Sequence, residues 1–211
     1  MDDVELLADG LFLPLSLCAS LSDARTGAIP SGTELMLLSF GALIAGVRGL
    51  NHGYQDLLPI LVNNAPPLLL LLASSVSGKS GVGDLEYAAS MALCYPGLVE
   101  ARPLAVFPSA FGGFRISAGV TSVALANAIL MAWLAAFSKG LETRLKERGL
   151  PGTGARAAAL AIPVLLPGAA VLVPLFSRFL LKRPQPGGSV PFIPFMFAGF
   201  LAARYANVIL L

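Results

Sequence analysis

Charge is scarce in this chain. Of its 211 residues only 12% are Asp, Glu, Lys or Arg, where soluble domains usually carry about 25%. With 56% hydrophobic residues and a mean hydropathy of +0.78, that shortage speaks against a soluble enzyme and against a disordered chain. The net charge of +2 gives no reason to expect nucleic acid as a partner. Histidine occurs once, at His52, so no histidine-based metal site can be built from it alone. The two cysteines, Cys18 and Cys94, form neither a CxxC site nor a disulfide framework; both read as small core residues. No cofactor or metal is expected. What remains is one membrane-embedded domain over residues 1–211, an all-α integral membrane protein with the lipid bilayer as its solvent.

A spanning helix needs roughly 20 mostly apolar residues. Six stretches qualify: Val4–Ser22, Leu35–Val47 with a start near Ser31, Leu57–Ser75, Asp84 to about Val99, Ser117–Phe137 and Val190–Leu211. The first has an acidic leader (Asp2, Asp3, Glu5, Asp9), unlike a cleaved signal peptide. The third contains Pro59 and Pro66-Pro67, which predicts a kink. The Pro-, Gly- and Phe-rich stretch from Arg102 to Arg115 fits a re-entrant or surface-lying loop. Residues 157–177 are uncharged but broken by Pro163, Pro167 and Pro174. Six spans with the amino terminus outside put Arg25, Lys79 and the basic cluster from Lys139 to Arg183 on the inner side, as the positive-inside rule asks. A seventh span at 157–177 would send Arg178, Lys182 and Arg183 outside. Residues 138–189 therefore read as a basic cytoplasmic or interfacial insertion before the last helix.

Two aspartates stand at span ends: Asp23 in LSDARTGAIP and Asp84 in SGVGDLEYA. Although sixty-one residues apart in sequence, both fall on the inner face of this topology. Gly81 and Gly83 give the backbone before Asp84 room to bend and to approach another segment. Each aspartate also has a structural reading: Asp84 as an N-cap, Asp23 as a turn residue before Ile29-Pro30. Together they make a candidate carboxylate pair. Two close carboxyls share one proton; the ionised one can take a proton from water and the protonated one can donate to a carbonyl oxygen or leaving amine. That is peptide hydrolysis without metal or covalent intermediate.

DARTGAIP resembles the D-x5-I-P element of type IV prepilin peptidases, GVGD their GxGD element, and SVPFIPFMFAGF their P-F-x-P-F stretch. The three stand in the family's order over nearly the whole chain. Presenilin and signal peptide peptidase, which also carry GxGD, pair it with Tyr-Asp and Pro-Ala-Leu elements that this chain lacks. The resemblance implies a membrane aspartyl endopeptidase at the cytoplasmic face of the cell membrane, with Asp23 and Asp84 catalytic and Gly81 and Gly83 shaping the loop. Its partners would be precursors of pilin-like proteins or archaeal flagellins, cut before their apolar amino-terminal helix. Without the CxxC…CxxC element of many bacterial members, the chain resembles the smaller archaeal preflagellin peptidases, and methyl transfer is not expected. Many members have Lys where this chain has Glu86, which on a helix points away from Asp84 and reads as facing headgroups.

Pro191, Phe192, Pro194 and Phe195 either shape the last helix at the membrane interface or line a groove for the substrate helix. Arg25 and Lys79 either tune a carboxyl or anchor to headgroups. Asn127, inside the fifth span, needs a polar partner on a neighbouring helix. Two other functions compete: a proton-coupled transporter relaying protons through the same aspartates, weakened by the lack of an internal repeat, and a non-enzymatic scaffold using the basic 138–188 region.

Overall fold

A computed structural model describes residues 3–53, 55, 58–78, 81–103, 115–149, 151–164 and 191–209. They form helices α1 (Asp3–Thr26), α2 (Ser31–His52), α3 (Leu58–Val76) and α4 (Val82–Cys94), strands β1 (Leu98–Pro103) and β2 (Ile116–Gly119), helices α5 (Val120–Glu147), α6 (Gly152–Val164) and α7 (Ile193–Tyr205), and the short strand β3 (Val208–Ile209). The chain is mostly helical. By length and composition α1, α2 and α5 could each cross a membrane, and α3 and α7 hold shorter apolar stretches. At 13 residues each, α4 and α7 reach about 20 Å, short of a hydrocarbon core of roughly 30 Å.

Local chemistry sets the boundaries. α1 opens on Asp3 and Glu5 and closes on Arg25, charges that suit the helix dipole. It stops at Gly27, whose φ of 71° suits a residue without Cβ. Pro30, in extended conformation, starts α2. In α3 the helix continues through Pro66-Pro67. Pro67 lacks the N–H that would bond the Asn63 carbonyl; Ser122 Oγ of α5 donates to that oxygen instead, over 3.3 Å, the repair that apolar surroundings demand.

The fourth helix is shorter than expected. It ends at Cys94, and Pro96-Gly97 turn the chain into β1, so Val99 is a strand residue. The fifth helix starts three residues later than expected and runs on into the basic segment through Glu147. The helices are joined by one small sheet, in which β1 sits between β2 and β3. β1 pairs with β2 antiparallel, Leu98 opposite Gly119, and with β3 parallel, Arg102 opposite Val208. The first end of the expected re-entrant loop, Arg102, is thus a strand residue, and Arg115 stands just before β2; residues 104–114 lie outside the described ones, as does 165–190 with most of the ambiguous 157–177 segment. α6 packs against α5.

The core gathers around Phe12 of α1, whose ring lies 5.2 Å from Phe200, 5.5 Å from Tyr95 and 5.8 Å from Tyr87, tilted and edge-on geometries that aromatic quadrupoles favour. Glycines let helices meet closely: a Cβ on Gly41 of α2 would lie 3.2 Å from the Ser90 carbonyl of α4. At the sheet end α1 and α7 are tied by Glu5–Arg204 at 3.2 Å. Tyr95 donates to Asp9 over 2.7 Å, and Arg204 lies 5.4 Å above the Tyr95 ring. Cys94 is buried as expected, but Cys18 is exposed, on the outward face of α1.

Candidate active site

α1 and α7 run antiparallel, so the last turn of α1 meets the first turn of α7 at the end of the bundle opposite the sheet. α4 begins at that same end. Asp23 and Asp84 therefore open onto one cavity of about 930 Å³. Its walls differ in character. Glu34, Gly81, Gly83 and the Gly27–Ile29 turn form one side, while Leu70 and Leu71 of α3 with Leu125 and Ile129 of α5 form an apolar side.

Asp23 is only 6% exposed. Its Oδ2 accepts the N–H of Ile193 over 3.1 Å, which supplies a donor to a carboxylate sheltered from water. Asp84 is half-buried and is the third residue of α4; Gly81 holds the N-cap position. The Asp84 carboxylate reaches back to accept the Gly81 N–H over 3.1 Å, which satisfies an opening-turn donor. The expected N-cap role is thus filled by Gly81, with Asp84 bracing it.

The sequence-predicted residues divide. Pro191 and Phe192 line the cavity together with Ile193. Pro194 is buried and Phe195 is a core residue at 1% exposure; neither lines the cavity. Arg25 is exposed, and Lys79 lies outside the described residues. Asn127 is buried and donates to the Gly199 carbonyl over 3.4 Å, the inter-helix bond expected of it. Glu86 is half-buried and lies near Glu34 of α2. Glu34 is the residue sequence reasoning missed; the available signal was an acid in the first turn of an apolar helix, at the same bundle end as Glu86. Among the described residues, no three of His, Cys, Asp and Glu gather as a metal site would.

Comparison of the chain with protein-family models, with curated proteins and with solved structures finds no match.

Proposed function

We propose that this chain is a membrane aspartyl endopeptidase that removes the leader of pilin-like or archaeal flagellin precursors at the cytoplasmic membrane face. The observation that carries the reading is that Asp23 and Asp84, distant in sequence, open onto a single cavity. In this reading the ionised aspartate takes a proton from water as the water oxygen attacks the scissile carbonyl carbon. The protonated aspartate donates first to the carbonyl oxygen, and a proton then reaches the leaving amine as the C–N bond breaks. The apolar wall of α3 and α5 suits the precursor's apolar helix, and the Glu34 side suits its polar leader. With the sheet outside, the basic last turn of α5, Arg144 and Lys146, and the two aspartates would lie inside.

The test is direct. Purified protein in detergent, mixed with a pilin-like precursor, is expected to yield a product shortened by its leader, read by mass; an unshortened precursor sinks the proposal. Cleavage is expected to proceed equally with and without EDTA, and its loss in chelator would point to a metal.

Gly83→Ala probes the acidic wall. The added Cβ would come 2.6 Å from Glu34 Oε1, the tip of a flexible side chain, so α4 still forms. In a helix Ala is favoured over Gly by about 0.5–1 kcal/mol, which offsets the adjustment. The displaced Glu34 shifts out of its place in the cavity lining, so cleavage is expected to fall while the unfolding midpoint holds; unchanged cleavage would remove Glu34 from the site.

The second reading is proton-coupled transport through the same Asp23 and Asp84, which share the cavity. It predicts substrate-driven proton uptake by vesicles and no shortened precursor.

A further inference from the structure

Resting on the peptidase reading, we propose that the backbone amide of Ile193 is a positioning group for catalysis, and that α7 thereby sets where the Asp23 carboxyl stands. Ile193 is the first residue of α7, and its N–H reaches Asp23 Oδ2 across 170 residues of chain. Opening-turn amides have no acceptor within their own helix. Here the others are already settled: Pro194 has no N–H, and the amides of Phe195 and Met196 both turn back to the Phe192 carbonyl at 3.0 Å. The Ile193 amide is left for Asp23. Both partners are sheltered, Asp23 at 6% and Ile193 at 1% exposure, so water competes little for the bond.

α7 is also held against sliding along α1. Its far end carries the Glu5–Arg204 ion pair, and Gly199 presses its backbone against α5. A carboxyl that takes its hydrogen bond from a helix anchored in this way has its orientation fixed by the register of α7. The corresponding bond of Asp84, to Gly81 three residues away, is local to its own helix start. The Pro- and Phe-containing segment around residue 193 therefore acts on the reaction through Asp23, in addition to lining the cavity through Pro191 and Phe192.

An amide-to-ester exchange tests this, with isoleucine replaced by its α-hydroxy acid analogue at 193. The exchange deletes the N–H and keeps the side chain. The control is the same exchange at Met196, whose amide bonds to the Phe192 carbonyl at the cap of α7. The first readout is the infrared carboxylate band of Asp23, assigned by difference against Asp23→Asn. The 193 ester is expected to shift that band and the 196 ester to leave it in place; Ile193→Pro, which also lacks the N–H, is expected to shift it likewise. An unmoved band in the 193 ester and Ile193→Pro overturns the proposal. In cleavage of a pilin-like precursor, the 193 ester is expected to lower kcat about tenfold, the scale of a lost charge-assisted hydrogen bond, with KM held. An equal loss in the 196 ester overturns the proposal by assigning the effect to helix stability. A wild-type protein that cleaves no pilin-like precursor defeats the peptidase reading, while the infrared band still decides the Asp23 bond.

Discussion

Asp23→Asn and Asp84→Asn are each expected to lower precursor cleavage by about 10³-fold, within the range that positioned acid–base groups contribute, while the protein inserts and folds as before. The substitution suits the question because it changes chemistry and little else. An asparagine carbonyl oxygen can still accept the Ile193 N–H at position 23 or the Gly81 N–H at position 84, so both helix starts keep their bonds. What is lost is the ability of one group to hold a proton and the other to take one. Product mass after incubation with precursor, beside an unfolding curve in detergent, separates chemistry from stability. Full cleavage by either variant would dismiss the carboxyl pair.

The second large effect is on stability. A Cβ on Gly199 would overlap the Ala124 carbonyl of α5 and lie 3.1 Å from Asn127 Cβ. The obstacle is backbone, so the added methyl has to push α5 and α7 apart. Gly199→Ala is expected to cost about 1–3 kcal/mol, the usual range for overpacking, and to stretch the bond from Asn127 to the Gly199 carbonyl. Gly140→Ala, in the same α5 with nothing within 4 Å of its Cβ, is expected to gain up to about 1 kcal/mol. Equal midpoints for the two variants, measured by denaturant unfolding in mixed micelles, would show that α5 and α7 do not meet as closely as described.

Much of this was legible in the chain. Asp23 and Asp84 sit beside glycines and prolines that end apolar stretches, and those stops set which bundle end each residue occupies. The pairing of Asn127 was foreseeable because a buried amide must find a donor or acceptor. The sheet was not: β2 has four residues and β3 two, too few for a period-2 pattern, and β3 pairs with a segment about a hundred residues away in sequence. The length of α4 was overread because apolar content continues past Cys94 although Pro96-Gly97 cannot continue the helix. Cys18 and Phe195 show the limit of composition: in an all-apolar helix the outward and inward faces look alike, so which side a residue takes is decided by the neighbours it packs against. Glu34 escaped because its place in the cavity lining is set beside the start of α4, which reaches it only after two intervening turns of chain.

The two-faced lining of the cavity has a consequence for selectivity. If the chain is the peptidase proposed above, a pocket greasy along α3 and α5 and acidic near Glu34 would grip a polypeptide best where its solubility changes abruptly, with an oily stretch on one side and a water-loving stretch on the other. Such a device would sort substrates by where that step falls and tolerate wide variation in spelling on either side, and it would pass over a protein that has already hidden its oily stretch by folding.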